Sequence, residues 1–173
     1  MEAQDTKKQK KRTYLLTMEQ SVSLKPLYYV YRGGMKSIYT IEGDITRHNF
    51  SIQKDGTEVL RLRKKIAKLL TEYTIERDGQ EIAKIKKRIS LLTHDFSGTI
   101  NGQILEIRAD WNACRFDILI GGRKLCEIEQ KKSGLLDNYL ILMFDSEMED
   151  IAAALAVICD HISDKDDSEC ENN

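Results

Sequence analysis

Hydrophobic and polar residues alternate along most of this chain with the period of two that marks β-strands. Phe50 and Ile52 fall on one side, Ser51 and Gln53 on the other. Tyr73 and Ile75 repeat the arrangement against Thr74 and Glu76. On the return segments Leu60 and Leu62 oppose Arg61 and Arg63, and Ala83 and Ile85 oppose Lys84 and Lys86. One apolar and one charged face describe a sheet that covers a core on one side only.

The alternation is organised as a repeat. Residues 50–65 and 73–88 share the pattern aromatic-x-Ile-x-basic-Asp-Gly-x-Glu-aliphatic, followed by aliphatic residues alternating with basic ones. Looser copies begin at Phe96 and Phe116. Each copy centres on a dipeptide that accepts positive φ: Asp55-Gly56, Asp78-Gly79, Asn101-Gly102 and Gly121-Gly122, with Gly33-Gly34 as a fifth. The second glycines stand 22, 23, 23 and 20 residues apart. Five hairpins, with Tyr14–Met18 and residues 138–144 added, predict a meander of about twelve antiparallel strands. So many one-sided strands leave exposed edges unless the sheet closes.

The pattern then changes. Ser146-Glu-Met-Glu149 reads as a capping box opening a helix over about 147–162. From Ile151 to Cys159 that helix is apolar on every side and rich in alanine. Such a helix is buried or membrane-spanning, and it is about half the ~20 residues a span requires. The expected fold is therefore mainly β: a closed antiparallel barrel around a thin, central C-terminal helix. A helix capping one open end is the alternative. The barrel is expected over residues 13–163, between a flexible basic tail (1–12) and an acidic, disordered tail (164–173).

Charge adds an asymmetry. The whole chain carries −1, but residues 145–173 hold ten acids against one lysine, a net −9, which leaves +8 on residues 1–144. Arg61, Arg63 and Lys65 share one strand face, and Lys84, Lys86 and Arg88 share the equivalent face of the next repeat. If those strands are neighbours, the six form a basic stripe able to hold lipid phosphates or to serve only solubility. Nucleic acid would suit the charge, but the base-stacking aromatics are missing.

The chain lacks the metalloprotease, hydrolase-elbow, Walker and dinucleotide motifs, so no enzyme, metal or cofactor is expected. Asp160, His161 and Asp164 read as a solvated helix end rather than a cation site. Cys114, Cys126, Cys159 and Cys170 form no Cys-x-x-Cys pair and read as reduced thiols, and Trp111 as a core residue. With no signal-peptide-like start, the expected location is the cytoplasm.

The units at Tyr73–Arg88 and Phe50–Lys65, followed by one apolar helix over 147–162, resemble the tubby C-terminal-like superfamily, and within it the LURP-one-related branch. The resemblance spans about residues 13–163. It implies a twelve-stranded sheet threaded by the terminal helix. Tubby proteins bind phosphoinositides and the similar phospholipid scramblases act at membranes with calcium, so it also implies peripheral action at a membrane. The tubby lipid contacts do not align with this chain residue by residue, and the long membrane segment and cysteine-rich stretch of scramblases are missing. The expectation is a non-enzymatic module for anionic phospholipid or phosphoinositide head groups. The alternative is a protein-interaction scaffold.

Overall fold

The computed structural model describes residues 13–67, 70–87, 96–110, 112–133 and 136–163. The expected tails at 1–12 and 164–173, along with Trp111, lie outside these. Twelve strands run in sequence order: β1 (Tyr14–Gln20), β2 (Leu27–Tyr31), β3 (Ser37–Gly43), β4 (Asn49–Lys54), β5 (Thr57–Ala67), β6 (Leu70–Arg77), β7 (Gln80–Lys87), β8 (Phe96–Ile100), β9 (Gln103–Asp110), β10 (Arg115–Ile120), β11 (Arg123–Ser133) and β12 (Leu136–Met143). Each pairs antiparallel with its sequence neighbours, and β1 pairs with β12, so the barrel is closed and has no free edge.

The turn dipeptides do what their chemistry allows. Asp55, Asp78, Asn101 and Gly121 all take positive φ, as do the glycines that follow them. The fifth turn is looser, because residues 32–36 separate β2 from β3. Four hairpins carry a register shift, after Val30, Ile52, Ile75 and Ile118. The extra residue is Ile38, Val59, Ile82 or Leu125. In the last three this accounts for the aliphatic residue that follows each turn's third position. Val59 and Ile82 pack against the core, and Leu125 belongs to it.

After β12 the chain makes one 3-10 turn (Ser146–Met148) and enters α1 (Glu149–Ser163). Every residue of α1 except Asp150 is buried, and the alanines at 152, 153, 154 and 156 are wholly inaccessible. At 1.5 Å per residue the helix is about 22 Å long, enough to thread strands of eight residues. Inward side chains from all twelve strands form one core with it, including Leu16, Tyr28, Ile41, Leu62, Ile75, Ile107 and Ile141. The expectation of a central helix is met, and a helix capping one open end is not what forms.

Two local expectations are corrected. The N-cap is Asp145, which accepts from Glu147 N at 3.1 Å, rather than Ser146. Glu149 does not close a capping box. It turns to Tyr14 and Arg32 instead, since an ion pair in the barrel mouth outcompetes a local bond. Cys126 and Cys159 are buried free thiols as expected, but Cys114 is disulfide-bonded.

Neighbouring strands approach closely at Gly98 of β8. A Cβ there would stand 1.8 Å from Lys84 O and 2.8 Å from Ile85 Cα of β7. Both obstacles are backbone, so neither yields by a rotamer change. Gly98→Ala is expected to cost more than about 3 kcal/mol in chemical denaturation, well above the ordinary cost of a point change. Leu155→Ala, at the helix centre, is expected to cost about 2–5 kcal/mol.

Candidate functional site

The barrel has two rims. The helix enters at the rim formed by the β2–β3, β4–β5, β6–β7, β8–β9 and β10–β11 turns and ends at the opposite rim, where the β1–β2 and β3–β4 connections lie. Carboxylates pin α1 at both.

At the entry rim Glu149 accepts a 2.8 Å hydrogen bond from the Tyr14 hydroxyl and pairs with Arg32, while Arg77 pairs with Asp150 at 2.6 Å. Two acids in the first turn also match the positive end of the helix dipole. Burial, followed by the Glu149 contact, raises the Tyr14 pKa.

At the exit rim Asp160 accepts from Tyr28 OH at 2.7 Å and from Tyr139 OH at 2.8 Å. Burial and then the Asp160 charge push the Tyr139 hydroxyl far above its ordinary pKa, so it stays a donor. His161 lies 5.0 Å from the Phe50 ring and is stacked at 6.0 Å on Tyr73. Ser163 Oγ donates to Cys159 O at 3.0 Å. The reading of Asp160 and His161 as a solvated helix end is therefore overturned: both are buried. A helix enclosed on all sides buries whatever polar residues fall within its length. That signal was present in the expected helix bounds.

The expected basic stripe is only partly assembled. Arg61, Arg63 and Lys65 stand on β5, and Lys84 and Lys86 on β7. Arg88 lies outside the described residues. The two strands are not adjacent, because β6 runs between them and presents Glu72, Thr74 and Glu76 on the same outer face. Arg61 pairs with Glu58 at 2.9 Å, Arg63 with Glu76 at 3.1 Å, and Lys86 with Glu72 at 3.0 Å. Lys84 lies 3.6 Å from Glu81 and 3.8 Å from Glu72. The Lys86 hydrogen bond holds the Glu72 carboxyl below its usual range against the effect of burial, helped by the charges of Lys86, Lys84 and Lys65. The face is a ladder of alternating sign. A phosphate would have to displace carboxylates there.

Positive charge is concentrated instead at the exit rim. Lys25 lies in the β1–β2 connection, Arg47 in the β3–β4 connection, Lys65 near the end of β5 and Lys87 at the end of β7. Lys25, Lys65 and Lys87 form no ion pair among the described residues. The entry rim differs. There Arg32, Lys36 and Arg77 are engaged by Glu149, Asp55 and Asp150, Lys54 and Arg123 form no ion pair among the described residues, and Asp78, Asp145 and Glu147 add negative charge. Of the four exit-rim cations, Lys65 was singled out from the sequence, while Lys25, Arg47 and Lys87 were missed because they come singly from separate segments.

A groove of about 410 Å³ opens on the outer surface beside this rim, lined in part by Lys25, Pro26, Asn49, Phe50 and Arg61. Asp44 organises its edge. It accepts from Asn49 Nδ2 at 2.6 Å, Thr46 Oγ1 at 2.8 Å and His48 N at 3.0 Å. No cluster of His, Cys, Asp and Glu suited to a metal occurs among the described residues, and none of their helices is long and apolar enough to cross a membrane.

This closed meander around a single helix is matched by a family model. The model for LURP-one-related proteins fits residues 53–160, from the first Asp-Gly hairpin to the buried Asp160. The chain belongs to the LURP-one-related family. No curated protein matches it.

Burial raises the Asp44 pKa, but the hydrogen bonds from Asn49, His48 and Thr46 outweigh it and hold the carboxyl well below its ordinary 3.8. A lowered folded pKa means the group stabilises the fold above about 3.8 and loses that effect as pH falls through the folded value. Asp44→Asn should therefore cost about 1 kcal/mol at pH 7, with the difference from the parent shrinking under strong acid. Urea unfolding at stepped pH checks this, and a difference independent of pH would contradict it.

Proposed function

We propose that this protein is a non-enzymatic binding module for anionic phospholipid head groups, docking on a membrane surface through the rim where its helix ends. The observation that supports this most is the separation of charge along the barrel axis. Lys25, Arg47, Lys65 and Lys87 lie at one rim, while at the opposite rim Arg32, Lys36 and Arg77 are paired with acids and Lys54 and Arg123 stand among Asp55, Asp78, Asp145 and Glu147.

A barrel polarised in this way orients itself in the field of an anionic leaflet before contact. Each Lys or Arg brought near such a surface contributes about 1 kcal/mol. Four cations thus suffice for reversible peripheral binding without a deep pocket. The outer ladder of β5–β7 is close to neutral over its paired residues, so Arg61, Arg63, Lys84 and Lys86 contribute less to this attraction than Lys65. The groove beside the rim mixes Lys25 and Arg61 with Glu42, Asp44 and Glu58. That lining suits one phosphate better than a multiply phosphorylated ring, so the reading favours general anionic lipid over a phosphoinositide.

Co-sedimentation with neutral, phosphatidylserine and phosphoinositide vesicles at about 150 mM salt, where the Debye length is roughly 8 Å, tests the proposal. Binding should require anionic lipid and weaken with added salt. Combining Lys25→Glu, Lys65→Glu and Lys87→Glu should reduce it by more than about a hundredfold, from three reversals at ~1 kcal/mol or more each. Changing Lys84 and Lys86 to Gln should reduce it less. No binding to any vesicle would remove the lipid reading and leave a protein partner as the ligand.

A further inference from the structure

Eight large hydrophobic side chains stand exposed among the described residues, and five of them crowd the rim where the helix ends. Val22 and Leu24 lie between β1 and β2, Ile45 lies between β3 and β4, and Ile66 and Leu70 lie at the adjoining ends of β5 and β6. Leu24 is as exposed as in an extended chain, at 101%, with Val22 at 85% and Ile45 at 75%. The other three, Leu15, Met35 and Ile104, sit toward the entry rim. Single exposed hydrophobic residues are ordinary on a protein surface. Five on three adjacent projections of one rim mark a contact surface.

The three projections are consecutive around the barrel and tied together. Gly43 N donates to Pro26 O at 2.8 Å, linking the first to the second, and Lys64 N donates to His48 O at 2.7 Å, linking the second to the third. The Asp44 hydrogen bonds hold the second loop in a fixed shape. Ile45 is thus presented outward on a rigid support instead of folding back onto the barrel.

Sequence places a cation beside each apolar tip: Lys25 follows Leu24, Arg47 comes two residues after Ile45, and Lys65 precedes Ile66. Apolar tips with basic residues just behind them match the layering of an anionic leaflet, with acyl carbon below and phosphate above. A protein partner would need acidic groups around an apolar hollow; a lipid surface supplies both without shape matching.

We propose that the β1–β2 and β3–β4 connections, with Ile66 and Leu70 at the adjoining ends of β5 and β6, are insertion elements. They enter the head-group and upper acyl region of an anionic leaflet, so that the barrel stands on the membrane with the C-terminal end of its helix facing the lipid. This rests on the lipid reading above and adds depth and orientation to it.

Tryptophan scanning of the full chain tests it. Leu24→Trp, Ile45→Trp and Met35→Trp are made separately with Trp111→Phe, so that each variant has one tryptophan. Each is mixed with phosphatidylserine-containing vesicles, with and without bromine in the acyl chains. Emission at 24 and 45 should shift to the blue and be quenched by bromine, while emission at 35, on the opposite rim, should do neither. Leu24→Ser with Ile45→Ser should weaken binding about tenfold or more while all the charges remain, and Met35→Ser should leave it unchanged. Binding with water-like, unquenched emission at 24 and 45 overturns insertion while leaving the lipid reading in place. Quenching at 35 overturns the orientation. Absence of vesicle binding by the parent removes both.

Discussion

A helix of Ala, Ile, Leu and Val with no polar side cannot rest on a protein surface, and the rest of this fold encloses it. Hydrophobic burial is proportional to apolar area removed from water. Here the inward residues of twelve strands and one helix supply it together. Neither part is stable without the other. The barrel would otherwise surround an empty apolar space, and the helix would expose its whole circumference. The run of alanines at 152–154 and 156 follows from this. A narrow barrel already filled by Tyr28, Phe50, Tyr73 and Tyr139 leaves room only for a thin rod.

Apolar packing alone would not fix how far the helix slides along the axis. Its end carboxylates do. Glu149 and Asp150 meet Arg32, Tyr14 and Arg77 where the helix enters, and Asp160 meets Tyr28 and Tyr139 where it ends. A shift by one turn would move every carboxylate about 5.4 Å from its partners and leave buried charge unpaired, which is costly. The same placement fixes both rims. One is occupied by the helix's own acids and the Tyr14, Arg32 and Arg77 side chains that receive them, and the other carries cations and exposed apolar residues. The functional reading thus depends on the packing solution.

Much of the architecture was legible in the sequence because both its signals are local. Positive-φ dipeptides such as Asp55-Gly56 and Asp78-Gly79 set the hairpins, and an all-apolar stretch after a one-sided meander has only one place to go. Features that depend on register were harder to read. The bulges at Ile38, Val59, Ile82 and Leu125 arise from barrel curvature. The partition of the basic stripe by Glu72 and Glu76 arises because β6 lies between β5 and β7; both acids were visible as outward residues of the intervening segment. Asp160 and His161 were read as solvated because a helix end usually is, whereas here the end is still inside the barrel. The exit rim could not be seen at all. Leu24, Ile45 and Ile66 lie 21 residues apart in the chain and are gathered only when the hairpins close into a ring.

The interdependence of helix and barrel is tested most directly by ending the chain at Asp145 and following unfolding by urea with circular dichroism and a proton–nitrogen NMR spectrum. The account predicts a molten or insoluble product: no cooperative transition, poorly dispersed amide signals and strong binding of a hydrophobic dye. A cooperative transition with a dispersed spectrum would show that the twelve strands fold without their core helix, and would contradict the account.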